Sequence, residues 1–96
     1  MAKKLFSVLT DDMERCIITG DGNVAIHLVF NGANRKRSEK YGFLVPLRPD
    51  WHNMPPYSVH MDQKFDDSLK RMAQEYYEAH YGSREDFRSE FGKIYL

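Results

Sequence analysis

Asp62-Gln-Lys-Phe-Asp-Asp-Ser-Leu-Lys-Arg-Met-Ala-Gln-Glu-Tyr-Tyr-Glu-Ala-His80 is the stretch whose reading decides the fold. Phe65, Leu69, Met72, Ala73, Tyr76, Tyr77 and His80 fall at i, i+4, i+7, i+8, i+11, i+12 and i+15. That spacing gathers them on one face of an amphipathic helix. It predicts a helix over residues 62–80, closed by Gly82. Ser83-Arg-Glu-Asp86 opens a second, shorter helix, with Ser83 as N-cap and acids in its first turn. This helix ends at Gly92. His80, at the end of the long helix's apolar face, reads as structural.

Toward the N-terminus the period shortens. Arg15-Cys-Ile-Ile-Thr19 is rich in β-formers and runs into Gly20-Asp-Gly-Asn23, residue types that tolerate the backbone of a tight turn. Val24-Ala-Ile-His-Leu-Val-Phe30 follows as a strand, so a hairpin is expected. Residues 31–42 are polar and basic and read as a long loop, with room for a helical turn over 35–40. Phe43-Leu-Val-Pro-Leu47 is a short strand, held to an edge or an end by Pro46. Three prolines keep residues 48–56 from holding regular structure for long. Strands first and helices last make the class α+β. The chain reads as one domain over 1–96: an arm or short strand over 1–12, a β-rich core over 13–60, and a helical part over 61–96.

The 96 residues are 42% hydrophobic and 29% charged, a balance that excludes a disordered chain. One cysteine, Cys16, excludes an intrachain disulfide. No apolar run reaches the ~20 residues of a membrane span, so a soluble, cytoplasmic protein is expected. Fourteen basic residues balance fourteen acidic ones, which excludes a globally basic nucleic-acid binder. The charges are unevenly placed, however. Arg35, Lys36, Arg37, Lys40 and Arg48 face only Glu39 in the middle of the chain, and residues 61–91 hold eight acids against five bases.

His27, His52 and His60 differ from His80 in context. His27 sits in a strand, and the other two flank Pro55-Pro56. Three imidazoles suit a divalent metal and leave a coordination position open. The spacing is not that of a zinc finger, and each histidine taken alone reads as structural. Trp51 and Tyr57 bracket His52, either to stack on a nucleobase or to shield the histidines and complete a small core.

Residues 24–42, then Val45-Pro-Leu-Arg-Pro-Asp-Trp-His-Asn53, Ser58-Val-His60, Leu69-Lys-Arg-Met-Ala-Gln74, Tyr81-Gly82, Asp86-Phe87 and Phe91-Gly-Lys-Ile-Tyr-Leu96, together resemble small phage- and mobile-element-encoded HNH endonucleases. These are similar to the RecA-dependent nuclease group. The resemblance runs over residues ~12 to 96, and the order and spacing of its motifs carry it.

The resemblance implies a ββα-metal fold holding one divalent ion (zinc, magnesium, manganese or nickel) and a DNA substrate. It implies that His27 is the first histidine of a paired motif and a metal ligand. His52 and His60 would complete the metal set. Asn34, with Asn31 second, would be the asparagine that orients the catalytic histidine. Arg35, Lys36, Arg37, Lys40 and Arg48 would lie along the phosphate backbone. A homodimer that cuts two strands, and a recombinase helper, are further implications.

Two positions depart from the pattern. Leu28 stands where the family has its second histidine, the general base. Leucine cannot accept a proton, so the resemblance implies an inactivated nuclease, a pseudo-nuclease kept for binding, or a register in which His27 is itself the base and fewer groups hold the metal. Thr19 stands where a second cysteine would complete a zinc knuckle with Cys16, so Cys16 reads as a small buried hydrophobe.

Overall fold

The computed structural model describes residues 5–53 and 55–96. Among the described residues, two strands and four helices form an α+β domain. Strand β1, Ala25–Leu28, pairs antiparallel with β2, Leu44–Leu47, in the register Ala25↔Leu47, Ile26↔Pro46, His27↔Val45 and Leu28↔Leu44. Between the strands lie a 3-10 turn, Gly32–Asn34, and helix α1, Arg35–Tyr41. Helix α2, Pro49–His52, follows β2, and α3, Gln63–His80, and α4, Arg84–Phe91, complete the order.

A two-stranded sheet is marginal alone. Here all four residues of β2 are buried, and it lies at the centre of the core. Val45 and Leu47 meet Leu69, Ala73 and Tyr77 of α3 and Phe87 and Phe91 of α4 in one cluster. Phe30 carries the cluster onward, with ring centroids 4.4 Å from Phe91 and 5.8 Å from Phe87. Each fully buried side chain of this size contributes about 1.5–3 kcal/mol.

The expected hairpin does not form. The partner of β1 is β2, and residues 15–19 form no strand but a bend followed by a turn over 17–19. The Cys16 N–H closes onto the Asp21 carbonyl at 2.8 Å and the Gly20 N–H onto the Cys16 carbonyl at 2.9 Å, which reverses the chain before a ladder can start. The β-formers there serve burial instead: Cys16 is in the core and the Ile17 N–H bonds the Pro46 carbonyl at 3.1 Å. Pro46 is tolerated because each strand of a two-stranded sheet has a free edge.

The segment read as a loop with a helical turn is the full helix α1. Buried Ser38 anchors it: its hydroxyl accepts from the Phe30 N–H at 2.8 Å, and its carbonyl accepts from the Phe43 N–H at 2.8 Å. Gly42 ends α1 at φ +78°, where a side chain would meet the Phe6 ring and the Val8 backbone. The Val8 N–H bonds the Gly42 carbonyl at 2.9 Å, so the N-terminal arm is tied down across this glycine. Residues 5–12 form no strand, and residues 1–4 lie outside the described residues.

Ser83 caps α4 as the sequence predicts, whereas α3 ends on Tyr81 in the right-handed region and Gly82 does not take the left-handed φ expected of a glycine that closes a helix. The Asp62 carboxylate accepts from the Lys64 and Phe65 N–H groups, and Ser83 and Asp86 form a reciprocal capping box. Of the α3 face, Leu69, Ala73 and Tyr77 are buried; Met72 and His80 are exposed, and His80 stacks on Tyr76 at 4.1 Å. Glu90 on α4 accepts hydroxyl hydrogen bonds from Tyr41 on α1 and Tyr77 on α3, each at 2.6 Å. Burial and the Glu90 carboxylate together push the Tyr41 phenol up to about 12. Burial pushes Glu90 itself upward, but the two hydroxyls outweigh it and hold the carboxyl below its ordinary value.

Leu69→Asp places an unpaired charge in the core beside Ala73 and Tyr77. We expect this variant to show no cooperative thermal transition by circular dichroism.

Candidate metal centre

Three segments converge on one point. His27 comes from β1, opposite Val45, and is 3% exposed. His52 ends α2, whose first turn starts on Pro49, a residue whose fixed φ suits a helix start. His60 follows in the segment between α2 and α3. The Val59 N–H bonds the Trp51 carbonyl at 2.8 Å, which folds this segment back so that His60 lies alongside His52. The Met61 and Asp62 N–H groups both bond the Ser58 carbonyl, which tightens the turn into α3.

The ligand nitrogens of His27, His52 and His60 all lie within 4.8 Å of one another. The Nε2 atoms of His52 and His60 are 3.2 Å apart. Imidazoles bound tetrahedrally at about 2.0–2.1 Å place their nitrogens roughly 3.3–3.4 Å apart, so this spacing suits a shared cation. His27 Nε2 is buried with no hydrogen-bond partner among the described residues. A buried imidazole nitrogen is normally satisfied. Neutral nitrogens are also what a metal requires. Burial, then the neighbouring His52, His60 and Lys70, push His27 down to about 4. Burial and His60 lower His52 as well. The donor set therefore fits a divalent ion.

The depressed His27 has a consequence for stability. Above its ordinary value of 6.5 it is neutral in both folded and unfolded chains. As pH falls from 6.5 toward about 4, the unfolded chain takes up a proton that the folded chain refuses. The metal-free protein is thus expected to lose stability over that interval, on the order of a few kcal/mol. Urea midpoints measured at both ends of the interval check this.

Two clefts share His27, Asn31 and His60. One, of about 250 Å³, adds Gln63, Asp66 and Lys70; the other, of about 240 Å³, adds Ile26, Leu28, Arg35 and His52. Leu28 thus borders the histidines and presents only hydrocarbon there.

Asn34 does not line either cleft. Its amide nitrogen donates to the Phe91 carbonyl at 3.1 Å and its oxygen accepts from Arg37 at 3.0 Å, so it braces α1 against the end of α4. Asn31 is the asparagine at the histidines. Of the basic residues, Arg35 reaches them. Lys36 is exposed, Arg37 is held by Asn34, and Lys40 lies over the Tyr41 ring at 5.1 Å. Arg48 makes a two-pronged pair with Asp50, at 2.6 and 2.8 Å, and Tyr57 donates to the same carboxylate at 2.8 Å. Trp51 packs against the core, 5.9 Å from the Phe65 ring, which favours shielding over base stacking.

Cys16 is buried, and its sulfur accepts from the Ile18 N–H at 3.4 Å. Among the described residues the histidine triad is the one group of histidine, cysteine or acidic side chains with metal-holding geometry, and Cys16 is not part of it. No helix among the described residues is long and apolar enough to cross a membrane.

The residues of α3 at the site, Gln63, Asp66 and Lys70, were missed by sequence reasoning. An i, i+4 acid–base pair on an amphipathic helix reads as solvated surface. In comparisons with known proteins, the chain matches no family model, no curated protein and no solved structure.

Proposed function

We propose that the chain is a metal-binding nuclease framework of HNH type, acting on DNA phosphodiesters and impaired at the proton-transfer step. The observation that carries this reading is the convergence of His27, His52 and His60 with the His27 Nε2 buried and unpartnered. An antiparallel strand pair that supplies the first histidine, followed by a segment that supplies the others, is consistent with a ββα-metal core. A divalent ion held there supplies a Lewis acid for a phosphoryl oxygen. The protein contributes three neutral imidazoles, an Asn31 amide beside them, and the Arg35 guanidinium to attract a phosphate. Leu28 leaves the adjacent position without a base.

A second reading rests on that same leucine. A hydrocarbon at the cleft wall suits a module that holds nucleic acid and does not cut it. Metal content after dialysis against zinc tests what the two readings share: one ion per chain supports the site, and none overturns it. Nicking of supercoiled plasmid by the Leu28→His variant separates them.

A further inference from the structure

Lys70 is the unassigned cation of the histidine site. Its ammonium donates to Asp66 Oδ2 at 2.7 Å, and its stem lies beside the Tyr95 ring, with the nitrogen 5.6 Å from the ring centroid. The side chains of Lys70 and Asp66 are only 18% and 21% exposed, so this is no ordinary solvated helix pair. Both line the cleft that holds His27, Asn31 and His60. An ammonium has three N–H donors and Asp66 takes one. Asn31 and Gln63 also line this cleft, the Gln63 amide nitrogen donating to Asp67 at 2.9 Å. Arg35 occupies the neighbouring cleft, across the same three shared residues.

We propose that Lys70 binds a DNA phosphate in the α3 cleft while Arg35 binds a second phosphate in the other, so that one strand crosses the histidine triad between two cationic contacts. This rests on the nuclease-framework reading and adds a substrate-positioning residue to it. Asp66 is the counter-ion in the free protein. It holds the ammonium in place, and it opposes an entering phosphate by like charge.

The test is a binding titration, not an activity assay. A fluorescent duplex oligodeoxynucleotide is titrated with the zinc-loaded chain over a range of salt concentrations. Each phosphate contact contributes about one unit to the slope of log affinity against log salt. Lys70→Gln is expected to weaken binding several-fold and lower the slope by about one. Arg35→Gln should do the same, and the pair should lower it by about two. Asp66→Asn, which removes the opposing charge and keeps the side chain's shape, should tighten binding several-fold.

An unchanged slope in Lys70→Gln, or weaker binding in Asp66→Asn, overturns the proposal and leaves Lys70 as a brace between α3 and Tyr95. Zinc content measured on the same samples distinguishes this from failure of the underlying reading. A parent chain that holds zinc and binds DNA while Lys70→Gln changes nothing defeats the Lys70 assignment alone. A parent chain that holds neither defeats both.

Discussion

Leu28→His is expected to nick supercoiled plasmid about 10²–10⁴ times faster than the parent chain in the presence of a divalent metal. The magnitude is that of restoring a positioned general base, and the position is suitable. Leu28 lies on β1 directly after His27, pairs with Leu44, and borders the cleft that contains His52, His60 and Arg35. It is half-buried, so an imidazole there replaces a hydrocarbon of similar size at the cleft wall without opening the core. Equal nicking by the two chains would place the base at His27 and remove it from the ligand set. Metal-bound samples without nicking in either would leave the binding-module reading.

The second large effect has two opposite signs. His27→Leu is expected to abolish stoichiometric metal retention. Losing a ligand should cost more than the roughly 10–100-fold that losing a ligand's supporting partner costs. The same variant should make the metal-free protein more stable. His27 is 3% exposed, its Nε2 has no partner, and burial disfavours its charged form. An unsatisfied buried polar atom costs about 1–3 kcal/mol, and leucine removes it while filling much of the same volume. A higher melting temperature without metal, together with lost metal content, is the pattern of a residue retained for binding. A lower melting temperature would mean that His27 is a packing residue.

Helices α3 and α4 were legible because their signals are local, whereas α1 read as a loop with a helical turn and α2 gave no helical signal. Asp62, Ser83 and Gly92 stand at element ends and act through neighbouring backbone groups, so spacing alone finds them. The strand pairing was not legible. Arg15-Cys-Ile-Ile-Thr19 has the composition of a strand, but its backbone bonds are taken by Gly20, Asp21 and Pro46, and only the last is distant in sequence. The histidine triad was readable as three residues of the right type. That they meet depends on the Val59–Trp51 hydrogen bond, a contact that no periodicity encodes. Asn34 shows the limit of residue type as a guide. Its amide looks suited to a catalytic loop, yet its partners are Phe91 and Arg37. Asn31, three residues earlier, has the cleft.

The Glu90 carboxylate bears on how the domain opens. It accepts from Tyr41 and Tyr77 at once, so a single side chain on α4 joins α1 and α3. Fraying any one of these helices releases a carboxylate or a phenol into a largely apolar aromatic cluster, and the remaining pair is left undersaturated. The three helices therefore tend to unfold as one cooperative unit. Among the described residues, the segment with His52 and His60 makes no hydrogen bond with Glu90; it is held by the Val59 N–H on the Trp51 carbonyl and by Val59 and Trp51 packed on the core. A cation held by His27, His52 and His60 would pin that segment to strand β1 as well.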